Sequence, residues 1–188
     1  GDELTKDIFQ AYIKGENKGA DTSKPRSVKR IQIESSKLKE MQTAIIYDVP
    51  GFDSPTKIHI RQTEERLKAA DAIILVTNVG RNPSIQGTSL SVINKNTDAD
   101  GIALKDKLFV FGNQIDTANN AREANGNKEI LIKDVEKYKI GSREKVFTGS
   151  ALKYLVDNKI IETEFTPSFP IEDGLKEMRA ALVRFYET

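Results

Sequence analysis

Two short runs of uninterrupted apolar residues, Ala72-Ile73-Ile74-Leu75-Val76 and Leu108-Phe109-Val110-Phe111, constrain this chain more than any other feature. A strand with one wet face alternates polar and apolar residues. A run without alternation has both faces covered, as in a parallel sheet packed between helices. The intervening segments have helical spacing. Residues 60–70 read as a charged helix, Pro83 can open a helix carrying Leu90, Val92 and Ile93, and a polar region with Asn125-Gly126 precedes a helix near 128–138. A short strand at 145–147 runs into the turn Thr148-Gly149-Ser150-Ala151. A last helix from Ile171 onward puts Leu175, Met178, Leu182 and Phe185 on one face. Strands alternating with helices at this spacing predict an α/β fold, mostly parallel, with helices on both sides of the sheet.

The N-terminal part reads differently. Leu4, Ile8, Ala11 and Tyr12 recur at helical spacing and Gly15 ends the pattern. In 28–34, Ile31 and Ile33 alternate with Arg30, Gln32 and Glu34 as on a half-buried strand. Ser35-Ser36-Lys37 then turns the chain into a second strand at 41–47, which predicts an antiparallel hairpin feeding the sheet. With 188 residues and no repeat or linker, one domain over 1–188 is expected.

Composition excludes several function classes. Lysine plus arginine number 29 and aspartate plus glutamate 28, a net charge of +1, so no global field draws in nucleic acid or anionic lipid. Any anionic ligand must be held locally. With no cysteine there is no disulfide framework, thiolate metal site or cysteine nucleophile. No apolar run approaches the ~20 residues that cross a bilayer, and the start Gly1-Asp2-Glu3-Leu4 is unlike a signal peptide. A cytoplasmic location is expected, which the missing cysteines suit.

Ligands of open α/β sheets bind at the carboxyl ends of the strands, so the polar residues that close each apolar run carry the chemistry. Three sets stand out. Asp48-Val49-Pro50-Gly51 offers a carboxylate for Mg2+ and a glycine whose N–H can approach a phosphate unobstructed. Asn113-Gln114-Ile115-Asp116 follows the run at 108–111, and Ser150-Ala151-Leu152-Lys153 follows the last strand. An aspartate in such a turn accepts two hydrogen bonds from the ring N–H and exocyclic amine of guanine, whereas adenine presents a mismatched edge. At ~1.5–3 kcal/mol for each charged hydrogen bond, losing both costs at least ~3 kcal/mol, or more than ~100-fold in affinity.

In this order the motifs resemble those of the P-loop GTPases. Asp48 to Gly51 resembles the D-x-P-G element, Asn113 to Asp116 the N/T-K-x-D element, and Ser150-Ala151-Leu152 the S-A-K/L loop. Thr22-Ser23-Lys24-Pro25 resembles the T-x-x-P of dynamin-like large GTPases, and Phe52 stands where Ras-like members carry their catalytic glutamine. The resemblance implies a three-layer G-domain sheet with one antiparallel hairpin strand, and Mg2+-dependent hydrolysis of GTP to GDP. In that picture Thr22 orders water and, with Asp48, holds the metal, while the Gly51 N–H senses the γ-phosphate. Asn113, Gln114 and Asp116 read guanine, with Ser150, Ala151 and Leu152 around its carbonyl. A homodimer across the nucleotide face and membrane association through regions outside this chain are implied in the same way.

Two departures stand out. The family's G-x-x-x-x-G-K-S/T phosphate loop is missing, no Gly-Lys dipeptide occurs, and aligning Lys6 would put Thr5 and Asp7 where a glycine and a hydroxyl belong. The resemblance therefore implies an N-terminally incomplete domain, its first strand and loop lying upstream or supplied by another segment. The second departure is Gln114, which replaces a lysine. A nucleotide-free or non-hydrolysing pseudo-GTPase that serves as an interaction module is the alternative.

Each motif also has a plainer reading. Asp-x-Pro-Gly makes a turn, Asn113 and Asp116 can cap the next segment, and Ser150 can cap a helix. His59, the only histidine, lies eight residues beyond Gly51 and is not expected to be catalytic. The stretch with Lys24, Arg26, Lys29 and Arg30 reads as a solvated face.

Overall fold

Among the described residues three parallel strands, β1 (Ile73–Asn78), β2 (Leu108–Asn113) and β3 (Val146–Thr148), form a sheet in that order, with β2 central. The computed structural model describes residues 44–49, 57–80, 83, 85 and 92–187, all within the unit Ala44–Thr188, one of two into which the chain divides. Among the described residues the helices are α1 (Lys57–Ala69), α2 (Ala121–Lys137), α3 (Ala151–Asp157) and α4 (Gly174–Tyr186), and residues 92–95 are also helical. The first two strands coincide with the apolar runs.

Alternation along the central strand explains the layers. Leu108 and Val110 join a core with Leu131, Ile132 and Val135 of α2 and with Val146 of β3. Their neighbours point the other way, where the ring of Phe109 meets Phe185 of α4 edge-on at 5.5 Å. Met178 and Leu182, a helical turn apart, are buried on that helix. Full burial of a side chain such as Leu108 or Leu131 contributes ~1.5–3 kcal/mol, which holds helices on both faces of a three-stranded sheet.

Three expectations need correction. β1 is not covered on both faces, since burial alternates along it and Ile74 and Val76 are exposed. The helix expected near 128–138 begins at Ala121, with Asn125 and Gly126 inside it. Asn120 Oδ1 accepts from the Glu123 N–H at 2.9 Å, and Glu123 Oε2 accepts from the Asn119 N–H at 2.9 Å. This cap and the burial of Ala124 offset the ~1 kcal/mol cost of an interior glycine. The strand expected over 41–47 is not formed in its described part. Residues 44–49 have no regular secondary structure, and Ile45 and Ile46 are exposed. A strand needs a partner for its backbone groups, and among the described residues β1 pairs only with β2.

The amino end of the sheet is pinned by a buried ion pair. Lys107 Nζ donates to Asp98 Oδ2 at 2.7 Å and to the Ala70 carbonyl at 2.6 Å. Asp98 also accepts from the N–H groups of Asp100 and Ile102. The link ties the entry of β1 to that of β2, leaving the carboxyl ends to the polar loops. Among the described residues no helix is long and apolar enough to cross a membrane. The opening helix at 4–12, the hairpin strand at 28–34 and the residues near Pro25 lie outside the described residues.

Candidate functional site

The carboxyl ends of the strands are level. Asn78 stands opposite Asn113 in the parallel register, and Gly112 stands opposite both Thr77 and Thr148. Each strand therefore passes into its turn at one edge of the sheet, where α/β folds hold ligands.

The turn after β2 starts with Gln114 in the left-handed region, φ 64°. That conformation is strained for a residue with a Cβ. It is held because the Gln114 carbonyl accepts from both the Thr117 N–H, at 3.1 Å, and Thr117 Oγ1, at 3.0 Å. Ile115 anchors the turn in the core, while Gln114 is exposed and Asp116 half-buried.

The turn after β3 is bonded directly to it. Asn113 Oδ1 accepts from the Ala151 N–H at 2.9 Å, and the Ile115 N–H donates to the Gly149 carbonyl at 3.3 Å. Buried Ser150 caps α3, its Oγ accepting from the Lys153 N–H at 3.0 Å, as the plainer reading expects. Leu152 is exposed, and Lys153 Nζ pairs with the Asp157 carboxylate.

The structure thus brings Asn113, Gln114 and Asp116 together with Ser150, Ala151 and Leu152. Among the described residues no hydrogen bond or ion pair engages the Asp116 carboxylate, which leaves its two oxygens for donors on a ligand. Asp48 is exposed and is not bonded to either loop, and the described residues hold no group of three His, Asp or Glu side chains able to enclose a metal. Thr22 and Gly51 lie outside the described residues. His59 falls within α1.

Sequence reasoning missed the contribution of β1. Asn78 Nδ2 donates to Gln114 Oε1 at 2.6 Å, and Asn78 Oδ1 accepts from the Gly80 N–H at 2.9 Å. The Gly80 carbonyl accepts from Asn127 Nδ2 of α2 at 2.8 Å. A Cβ at Gly80 would lie 1.7 Å from Thr117 Oγ1 and 2.5 Å from the Gln114 carbonyl oxygen, so only glycine allows this approach. The signal was present, since Asn78 closes the first apolar run as Asn113 closes the second.

No protein-family model matches the chain, and no curated protein sequence matches it at a significant level.

Proposed function

We propose that the loops after β2 and β3 form the base-recognition half of a guanine-nucleotide site, within a Mg2+-dependent GTPase domain of the dynamin-like kind. The observation that carries this reading is the Asn113–Ala151 hydrogen bond, which joins the two loops next to Asp116, whose carboxylate is bonded to none of the described residues. Asp116 accepts from the ring N–H and the exocyclic amine of guanine. The base carbonyl shares the Ala151 N–H with Asn113, and exposed Leu152 offers apolar contact at the rim.

Asp48 is a proposed holder of Mg2+, which would supply charge neutralisation at the outer phosphates. The exposed carboxylate of Asp48 suits an ion that keeps several waters and takes other ligands from phosphate. The Gly51 N–H is assigned to the γ-phosphate. Exposed Ile74 and Val76 on β1, and the irregular backbone at 44–49, support a sheet completed by a strand and phosphate loop from another segment. The dimer and the membrane association belong to the proposal through resemblance alone.

Titration of the intact protein with GTP and ATP tests the reading, with tighter binding of GTP by more than about 100-fold expected. Equal affinities overturn it. Gln114 in place of the family's lysine favours a second reading, a module that binds nucleotide without hydrolysing it. Binding without phosphate release by the intact protein selects that alternative.

A further inference from the structure

The amide of Asn78 can be oriented from its partners. The Gly80 N–H can only donate, so the atom of Asn78 that faces it, at 2.9 Å, must be the oxygen. Nδ2 is then directed to Gln114, and the atom that receives it at 2.6 Å must be Oε1. With its oxygen engaged in this way, and with none of the described residues accepting from its Nε2, Gln114 has those hydrogens for another acceptor. Its backbone is fixed as well, because Thr117 holds the Gln114 carbonyl through two bonds.

We propose that Asn78 is a positioning residue that sets the polarity of the Gln114 amide, so that position 114 presents N–H donors to an acceptor atom of the nucleotide's base or ribose. The inference rests on the guanine-nucleotide reading of the same loops. Its chemical logic follows from the replacement of lysine by glutamine. An ammonium group donates whichever way it turns, whereas a carboxamide donates from one end only and needs its oxygen held elsewhere. Asn78, 36 residues away in sequence and at the end of the neighbouring strand, holds it.

Substitution Asn78→Asp tests this in the intact protein. The aspartate still accepts from the Gly80 N–H but faces Gln114 with an oxygen, so the Gln114 amide turns over and offers Oε1 to the ligand. GTP affinity is expected to fall about 10-fold, the equivalent of one lost hydrogen bond. In a Gln114→Ala background the same substitution is expected to cost nothing further. Adding Gln114→Lys to Asn78→Asp is expected to restore binding, because the ammonium donates without help. A silent Asn78→Asp overturns the inference, as does a loss of equal size in the Gln114→Ala background, which reports charge or folding instead. If the parent protein prefers GTP to ATP while Asn78→Asp is silent, only this inference falls. If the parent shows no preference, the guanine reading falls with it.

Discussion

Asn113 Oδ1 accepts the N–H of Ala151 at 2.9 Å, a bond between residues that end one strand and begin the helix after the next. It spans 38 positions of sequence and fixes the distance between the two turns that follow β2 and β3. The side chain acts as a strut, and any ligand seated between those turns relies on it.

Substitution Asn113→Ala removes that strut. Its loss is expected to lower stability by about 0.5–1.5 kcal/mol, which for a chain of this size lowers Tm by roughly 1–6 °C. Nucleotide affinity is expected to fall in parallel. Asn113→Asp keeps an oxygen for the Ala151 N–H and is expected to melt near the parent. Thermal denaturation of the three proteins checks both statements, and equal melting of Asn113→Ala and the parent refutes the strut.

The start of α2 has its own test. Asn120 caps the helix through the Glu123 N–H, so Asn120→Ala is expected to cost about 1 kcal/mol, a drop of roughly 2–4 °C in Tm. Asn120→Asp, which keeps the accepting oxygen, is expected to retain most of the stability. Circular dichroism melts of both variants are the measurement.

The ion pair at the opposite end of the sheet predicts a pH dependence. The hydrogen bond from Lys107 holds the Asp98 carboxyl below its ordinary value; desolvation opposes this, and the N–H groups of Ile102 and Asp100 add to the lowering. The unfolded chain therefore binds the proton at a higher pH than the folded one. The stability Asp98 contributes is full above the unfolded carboxylate pKa of about 3.9, and it is lost as pH falls through the lower folded value. Urea unfolding at a series of pH values is expected to show Asp98→Asn less stable than the parent near neutrality, with the gap closing in acid. A gap that stays constant with pH contradicts the assignment.

Much of this architecture is legible in residue order because strand burial leaves a distinctive pattern, although only β2 is buried along its whole apolar run while β1 exposes Ile74 and Val76. The runs at 72–76 and 108–111 mark β1 and β2 to within two residues at either end, and Met178 and Leu182 mark the buried face of α4. Ser150, a small hydroxyl ahead of a helix, reads correctly as a cap. Failures occur where long-range pairing outweighs local signals. Gly126 argues against a helix until the cap at Asn120 and the buried Ala124 are counted. Ile45 and Ile46 look like strand residues, yet side-chain preference alone forms no sheet without a neighbouring backbone. The Asn78–Gln114 bond is invisible in sequence because only the parallel register of β1 and β2 brings these residues together.

The most direct measurement is the nucleotide preference of Asp116→Asn. An asparagine amide donates to the second carbonyl of xanthine, where the aspartate of the parent accepts from the amine of guanine. Binding of the intact variant to XTP and GTP by isothermal titration is expected to show a preference reversed to XTP, with GTP weakened by more than about 100-fold. A variant that binds GTP as tightly as its parent, or a parent indifferent to the base, contradicts the assignment of Asp116 as the guanine-reading carboxylate.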